Sequence, residues 1–376
     1  MAVATLALAA LLFYLQLREG NRQAPPVVEP RAGQVPDPAP RPDPRSSAAA
    51  AVVRSVQSRA LALPLQRGSE PRLAFGRGVI ARLTEAGVTL HALPGGELAV
   101  ERPLEQPRAV LSLADGAILA IGAREMVRLE ADKKPTLIAR PVLLPGAAVF
   151  ADAQVGDRLW IFEAQRRPPT LSSFRLEGAG ERQGVPLPEQ VIELDAEPGG
   201  TVGRTREGVW LYFGAERAER IGPGGARLSS LRLPSLPERF AILPARRLDQ
   251  AQLLTEDGTL LRALVSPTFK RLSEGALTPS PFSADVGDEG RLLAVVAVTG
   301  PGPRFELFTF DEKLAPGGRA ALPSDAPTGR EDWVQVVSQN QQLAVAPHKP
   351  LIAVGGPKRL LLFDERAQQI LSIPSR

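Results

Sequence analysis

The chain has 376 residues, 44% of them hydrophobic, so it can bury the core of two domains or of one repeat array. Its formal net charge is +4, but seven arginines and four acids precede residue 66, and the remaining 38 basic and 37 acidic residues nearly cancel. This balance excludes nucleic acid as a partner, and the absence of cysteine excludes disulfides, thiolate metal sites and cysteine lipidation.

The chain begins with an apolar segment, residues 2–17, that carries no charged side chain. As a helix it would span ~24 Å, a little less than the ~30 Å hydrocarbon core of a bilayer. No basic residue precedes it and no A-x-A-like site follows it. An uncleaved membrane anchor over residues 1–19 is therefore favoured over a cleaved signal-type helix. Arg18 and Arg22 would hold the following flank in the cytoplasm, whereas the repeat class argued below favours a periplasmic body.

Residues 20–46 form a proline-rich linker, with eight prolines and no aromatic residue between positions 24 and 46. Such a composition buries too little surface to fold and predicts an extended spacer. A proline-rich ligand for a recognition module is the alternative. Residues 47–69 follow as a connector, and Ser46–Leu63 has the pattern of a short helix with serine at its start.

From residue 70 to residue 376 the pattern changes to short apolar runs bounded by glycine, proline and acidic residues. The last unit, residues 343–374, contains the runs LAVAP, PLIAVGG, RLLLFDE and QQILSIP, which predict a four-stranded antiparallel meander. Acid–glycine pairs such as Asp115–Gly116 and Asp257–Gly258 precede other runs and are typical of turns that need positive φ. No long window sustains a helical apolar face without glycine or proline.

The whole region divides into seven units of about 44 residues each, a length typical of four-stranded propeller blades. We therefore predict an all-β fold, a seven-bladed β-propeller of four-stranded antiparallel blades over residues 70–376, because radial closure leaves no long exposed edge. A pair of β-sandwiches is the alternative. The unit boundaries are 70–107, 108–147, 148–190, 191–234, 235–277, 278–325 and 326–376.

The closing unit, LAVAPHKPLIAVGGPKRLLLFDE, resembles a WD40-like or quinoprotein-like repeat of the β-propeller superfamily. The shared order is an apolar strand, a turn with proline, a strand ending in Gly-Gly and a strand ending in Phe-Asp. The unit from 284 to 323 repeats this order with RLLAVVAVTG and RFELFTFDE. The Gly-His and Trp-Asp dipeptides of regular WD40 blades are absent, so the resemblance identifies no subfamily. It implies a rigid propeller whose loop face docks other proteins.

The sequence offers few groups for catalysis. His91 and His348 fall in the first and last units, which adjoin in a closed ring, but two unrelated histidines are the simpler interpretation. No G-x-S-x-G elbow, S-x-x-K motif or Gly-Lys phosphate loop occurs. We therefore predict no catalytic residue, no cofactor-binding residue and no cofactor.

Acidic turn residues are the remaining candidates for chemistry. Asp285, Asp288 and Glu289 lie together in SADVGDEG, and Asp152 and Asp157 flank a similar turn. Paired carboxylates could bind Ca²⁺ or act as acid and base in a sugar-cleaving propeller, which makes the first three weak metal candidates. Acidic residues are also common in turns, and that interpretation is favoured.

The three tryptophans are expected to be structural aromatics of the blades. Trp160 and Trp210 lie 50 residues apart at matching points of adjacent units, and Trp333 stands at the start of the last unit. Packing between sheets is favoured over a stacking platform for a ligand.

Taken together, these features predict a membrane-tethered, non-enzymatic propeller that acts as a scaffold or protein-binding subunit of a bacterial envelope complex. The protein is expected to contact the membrane through residues 2–17, and the propeller is expected to lie in the periplasm. One alternative is an extracytoplasmic hydrolase or lyase that uses carboxylates or Ca²⁺ in the central channel. Another is a sugar- or peptidoglycan-binding module with exposed Trp or Tyr on one face. The segment Leu61–Phe75 is expected to close the ring beside the last blade.

Overall fold

The computed structural model describes the part of the chain that carries the repeats. The described ranges are 71–178, 185–194, 201–205, 208–214, 217–233, 240–243, 249–255, 258–265, 268–277, 281–287, 290–299, 304–323, 342–356 and 359–374. The predicted anchor, linker and connector, residues 1–19, 20–46 and 47–69, lie outside these ranges. Within them, no helix is long and apolar enough to cross a membrane.

Twenty-eight strands form seven four-stranded antiparallel sheets, and each sheet is built from four consecutive strands. Blades 1 and 2 contain β1 (Leu73–Gly76), β2 (Val79–Leu83), β3 (Gly87–Ala92), β4 (Leu98–Pro103), β5 (Ala109–Ser112), β6 (Ile118–Ile121), β7 (Met126–Leu129) and β8 (Thr136–Ile138). Blades 3 and 4 contain β9 (Ala148–Ala151), β10 (Arg158–Glu163), β11 (Thr170–Arg175), β12 (Gln190–Glu193), β13 (Thr201–Arg204), β14 (Trp210–Phe213), β15 (Arg217–Ile221) and β16 (Arg227–Arg232).

The remaining three blades follow the same order along the chain. Blade 5 contains β17 (Phe240–Leu243), β18 (Gln250–Thr255), β19 (Thr259–Val265) and β20 (Phe269–Ala276). Blade 6 contains β21 (Pro281–Gly287), β22 (Leu292–Thr299), β23 (Arg304–Phe310) and β24 (Pro316–Ala321). Blade 7 contains β25 (Gln342–Val345), β26 (Leu351–Gly355), β27 (Arg359–Asp364) and β28 (Gln369–Pro374).

The predicted seven-bladed propeller is confirmed, and the four runs of the last unit are the four strands of blade 7. One predicted boundary is wrong, because the cut at residue 190 falls inside β12, which pairs with β11 and completes blade 3. The cause is the long connection from β11 to β12, whose glycines and prolines have the composition of a boundary between units. The acid–glycine turns behave as predicted, with φ of 84° at Gly116 and 88° at Gly258.

A separate hydrophobic cluster fills each of the seven junctions between neighbouring blades. The alternation of side chains along each strand explains this pattern, because one face of a blade serves the preceding junction and the other face serves the next. The junction of blades 7 and 1 is filled in the same way, by Phe75 and Ile80 from blade 1 and by Ala353, Leu360 and Leu362 from blade 7. The described sheets therefore form a closed ring.

The ring closes by packing of complete blades. Strand β1 is the inner strand of blade 1, hydrogen-bonds to β2 and contacts β25 of blade 7. It lies beside the last blade, as expected, but it adds no strand to that blade. The guanidinium of Arg82 donates across the same junction to the carbonyl of Gly356.

Inner strands of neighbouring blades approach each other closely at glycines. A Cβ placed on Gly203 would lie 2.6 Å from Cβ of Ile242, and one on Gly287 would lie 2.5 Å from the carbonyl oxygen of Ala346. Real Cβ atoms do not approach other atoms so closely, so these positions require the space that glycine leaves. Glycine within a strand commonly marks such an approach of a second backbone.

Candidate functional site

The described inner strands of the blades carry very few acidic side chains. First strands of neighbouring blades contact each other, including β1 with β5 and with β25, which places these strands around the central channel. Across the seven inner strands, Asp285 is the one carboxylate. Its Oδ1 accepts from the backbone N–H of Val286 at 2.8 Å, and its Oδ2 accepts from the N–H of Val345 at 2.7 Å. Asp285 therefore ties blade 6 to blade 7.

The other two weak metal candidates, Asp288 and Glu289, lie outside the described residues. Within the described ranges, no group of three or more histidine, aspartate or glutamate side chains is arranged to hold a metal ion. The carboxylate pair that a sugar-cleaving propeller needs is likewise not present on the described inner strands, where Asp285 stands alone among acids.

The carboxylate of Asp152 serves the turn between β9 and β10. Its Oδ1 accepts from the backbone N–H groups of Gln154 and Val155 at 2.8 and 3.0 Å, and its Oδ2 accepts from the indole N–H of Trp160 at 2.7 Å. Asp157, at the other end of this turn, pairs with Arg175 at 3.3 Å. The two acids thus hold a turn together, and neither carboxylate faces the other.

The indoles of Trp160 and Trp210 pack into the junction between blades 3 and 4. Each is 1% exposed, and their ring centroids are 5.4 Å apart. Phe150 packs edge-on to Trp210 at 5.2 Å, and Tyr212 is also buried in this cluster. Trp333 lies outside the described residues. Every described Trp and Tyr is therefore buried, whereas a sugar-binding face would need such rings exposed.

The two histidines occupy different environments. His91 is buried on β3, with Nδ1 3.2 Å from the carbonyl of Gly96 and Nε2 3.3 Å from the hydroxyl of Thr89. His348 is exposed in the turn between β25 and β26. Neither histidine belongs to a metal-binding group within the described ranges.

Arg128 on β7 forms an ion pair within blade 2 and a hydrogen bond to blade 3. Arg128 on β7 donates to Asp115 and, at 3.4 Å, to the carbonyl of Gly156 in the next blade. Burial by itself would raise the pKa of the Asp115 carboxyl, but the hydrogen bonds from Arg128 and from the N–H of Ala117 outweigh it and hold that pKa below its usual value. The ion pair therefore holds the Arg128 side chain where it bonds to the backbone of blade 3.

Five exposed aliphatic side chains lie in the connection after β8, in the connection before β12 and on β12, and we call this set the apolar rim. Nine large hydrophobic side chains are exposed in the described part of the chain, and five of them belong to this set. Leu187 is the most exposed, at 83%. The apolar rim consists of Val142, Leu144, Val185, Leu187 and Val191.

Backbone and core contacts join the β8–β9 connection, which carries Val142 and Leu144, to the β11–β12 connection, which carries Val185 and Leu187. The segment after β8 bonds to the segment after β11, where the N–H of Ala139 donates to the carbonyl of Glu177 at 2.9 Å. Leu143 and Leu176, one from each segment, pack against the cluster shared by blades 2 and 3. Val142 and Leu144 are therefore the sequence neighbours of Leu143, which packs in that junction.

Register places Val191 on the same side. It pairs directly with Ser172 across β11 and β12, so their side chains share one face of blade 3. Phe174, two residues further along β11, lies on that face and packs in the junction with blade 2. Val191 therefore faces blade 2, and Val185 precedes it on the same outer connection.

Reasoning from the sequence missed the apolar rim. Its members lie in connections and on an outer strand, where isolated aliphatic residues look like ordinary exposed positions. The available signal is the segment VPLPEQVIE, in which the aliphatic residues Val185, Leu187 and Val191 recur. Their gathering with Val142 and Leu144 depends on the contact between two blades.

Comparisons with known proteins find solved structures of similar fold. No protein-family model and no curated protein matches the chain. A solved structure described as KlHsv2 with loop 6CD replaced by a Gly-Ser linker is 10% identical, has a TM-score of 0.52, and is matched over 81% of this chain and 99% of that chain. The Cps50 (Swd1) beta-propeller domain of Myceliophteria thermophila is 10% identical, with a TM-score of 0.51 and coverages of 80% and 98%. At this identity the similarity shows the fold alone.

Proposed function

We propose that this protein is a non-enzymatic β-propeller that binds a protein partner through the apolar rim, as a membrane-tethered subunit of a bacterial envelope complex. The observation that carries the proposal is the exposure of five aliphatic side chains on blades 2 and 3. Exposed apolar side chains that gather into a patch mark interaction sites, because water at such a patch is released when a partner covers it.

The chemistry on the channel side supports binding over catalysis. Asp285 is the one carboxylate on the inner strands, and two backbone N–H groups already occupy it. The apolar rim, by contrast, presents five exposed aliphatic side chains that a partner can cover. A partner with an apolar segment would gain about 25 cal/mol for each Å² of apolar surface it buries there.

Partner capture tests the role of the apolar rim. We expect tagged full-length protein, purified from detergent-solubilised membranes, to retain a stoichiometric protein partner that the variant Leu187→Asp loses by at least about tenfold, since a charge replaces an apolar anchor. The matched control is Ile370→Asp, which alters an aliphatic residue of similar environment, 57% exposed on the outer strand of blade 7. The measurement is quantitative mass spectrometry of the eluates.

Two results would contradict this role. Wild-type protein recovered alone would leave the apolar rim without a partner. Equal loss of partner in Leu187→Asp and Ile370→Asp would show that any added charge disturbs the complex. Because Leu187 is 83% exposed, the aspartate should leave the unfolding midpoint unchanged, and circular dichroism verifies this before capture.

The membrane tether rests on the sequence pattern of residues 2–17, and the periplasmic location rests on the repeat class. We expect the full-length protein to sediment with membranes and to resist alkaline carbonate, and protein lacking residues 1–19 to remain in the supernatant. Protease added to spheroplasts should digest the propeller if it lies outside the inner membrane. Carbonate-soluble full-length protein would contradict the tether, and full protection from protease would place the propeller in the cytoplasm.

A further inference from the structure

The outer strand of blade 3, β12, has an open edge to which a further strand can be added. We propose that the protein partner contributes an extended segment, with aliphatic and basic side chains, that pairs with β12 as a fifth strand of this blade. The proposal rests on the function proposed above, because Val191 of β12 belongs to the apolar rim. It adds how the partner is held, since main-chain hydrogen bonds supply affinity in such complexes and alternate side chains supply specificity.

Five of the seven outer strands have an edge that is interrupted by a β-bulge. Strands β4, β16, β20, β24 and β28 each contain one extra residue relative to the third strand of their blade. A bulge twists an edge and disrupts its row of hydrogen-bonding groups, which is one way in which proteins protect edges from pairing. The extra residues are Ala99, Leu228, Leu272, Gly317 and Ile370.

The two remaining outer strands, β8 and β12, pair with their neighbours without a shift in register. The outer edge of β8 is covered, because Ile138 forms a bridge to Gly178 and the N–H of Ala139 donates to the carbonyl of Glu177 at 2.9 Å. Gly178 and Glu177 belong to the connection between β11 and β12. Among the described residues, no strand or bridge covers the outer edge of β12. This strand is therefore the outer edge best suited to pairing.

The backbone of β12 directs hydrogen-bonding groups outward at Val191 and Glu193. The N–H of Leu194 donates to the carbonyl of Pro169 next to β11, at 2.9 Å. Because inward and outward residues alternate along an antiparallel strand, the residues one and three positions earlier point away from β11. Arg227 of blade 4 donates to the carbonyl of Glu193 at 2.9 Å, in agreement with that direction. A further strand can then use the N–H and carbonyl of Val191 and the N–H of Glu193.

The side chains of β12 indicate the chemistry of the added segment. Val191 and Glu193 are exposed, and side chains of an added strand would lie directly opposite them. The carboxylate of Glu193 has no hydrogen-bond or ion-pair partner within the described ranges, whereas that of Glu189 pairs with Arg158 at 3.4 Å. An aliphatic residue opposite Val191 and a lysine or arginine opposite Glu193 would complement this edge.

A synthetic peptide tests the edge without the natural partner. The probe is a fluorescent, end-capped octapeptide of alternating valine and lysine, titrated into detergent-solubilised full-length protein and followed by fluorescence polarisation. We expect saturable binding that Val191→Pro weakens at least about tenfold, because proline offers no N–H and its ring projects from that edge. Val191→Thr keeps the N–H and the branched shape, and it should bind nearly as well as the wild type. Glu193→Gln should weaken binding and reduce its dependence on salt.

The matched control is Glu101→Pro in β4. The N–H of Leu104 donates to the carbonyl of Ala86, so Glu101 lies three residues before such a bond, as Val191 does before Leu194. Both N–H groups therefore point outward, and neither proline removes a hydrogen bond between strands of the folded protein. Glu101→Pro should bind the peptide as the wild type does. Circular dichroism first verifies that both variants fold and measures their unfolding midpoints.

Partner capture separates this proposal from the function on which it rests. The expected result is loss of the partner in Leu187→Asp and in Val191→Pro, with retention in Val191→Thr and Glu101→Pro. Loss in Leu187→Asp with retention in Val191→Pro would uphold binding at the apolar rim and overturn strand addition. Recovery of the wild type alone would contradict the proposed function, and the peptide titration would still decide whether the edge accepts a strand.

Four results would overturn strand addition. Three concern the probe: no saturable binding, equal binding by wild type and Val191→Pro, or equal binding of a peptide whose backbone nitrogens are all methylated. The fourth is a dimer of the purified protein that Val191→Pro dissociates, because a second copy of the chain would then occupy the edge. If Val191→Pro fails to fold, the methylated peptide makes the same test on the unaltered protein.

Discussion

Replacing Trp160 by alanine should lower the free energy of unfolding by about 3–5 kcal/mol. The indole is 1% exposed and lies against Trp210 in the junction of blades 3 and 4, so its removal leaves a cavity between two sheets. It also leaves Oδ2 of Asp152 without the indole N–H that now donates to it at 2.7 Å. Urea denaturation followed by circular dichroism measures the change.

Two further variants separate the cavity from the hydrogen bond. Trp160→Phe keeps most of the ring volume but removes the N–H donor, and it should cost about 1–3 kcal/mol, the range for an unsatisfied buried acceptor. Asp152→Asn removes the charge that stabilises the turn, and it should lower the free energy of unfolding by an amount in the same range. A free energy of unfolding for Trp160→Ala within about 1 kcal/mol of the wild-type value would show that the junction does not depend on this residue. A change of that order is expected for surface substitutions.

Replacing Phe75 by alanine should lower the free energy of unfolding by a similar amount, about 3–5 kcal/mol. Phe75 is 6% exposed on β1 and packs with Ile80 in the junction that closes the ring between blades 1 and 7. That junction has no shared sheet, so packing of side chains carries most of it. We expect one cooperative transition at a lower denaturant midpoint, because each blade depends on both of its neighbours.

The control is Ile370→Ala, an aliphatic residue of blade 7 that is 57% exposed, which should change the free energy of unfolding by less than about 0.5 kcal/mol. A second measurement compares chains that begin at residue 71 and at residue 77. The shorter one lacks β1 and should unfold at a clearly lower midpoint. Equal midpoints for these two chains, or for Phe75→Ala and wild type, would contradict closure through β1.

The repeat count followed from the sequence because a blade is a local unit. Its four strands are consecutive, so each apolar run and turn appears in order, and Gly116 and Gly258 mark turns by their neighbours alone. The boundary predicted at residue 190 is wrong because the pairing of strands across a long connection cannot be read from the local sequence. Only the hydrogen-bonded pairing with β11, after a long connection, assigns β12 to blade 3.

Some features of the site residues could likewise be predicted from the sequence, and others only from the structure. The matching positions of Trp160 and Trp210 in adjacent units could be recognised in the sequence, and the structure packs the two rings together. That Asp285 bonds to Val345 of the next blade could not be predicted, because the contact spans 60 residues and depends on how two sheets meet.

By itself, the sequence determined the class of fold, the number of blades and the low content of catalytic groups, since these follow from local periodicity and composition. Only the tertiary structure decided which carboxylates are occupied, which rings are buried and which aliphatic side chains remain exposed together. The physical reason is that burial and pairing between blades depend on distances across junctions. Residues distant in sequence, such as Trp160 and Trp210, meet there, and periodicity along one strand contains no information about the opposite sheet.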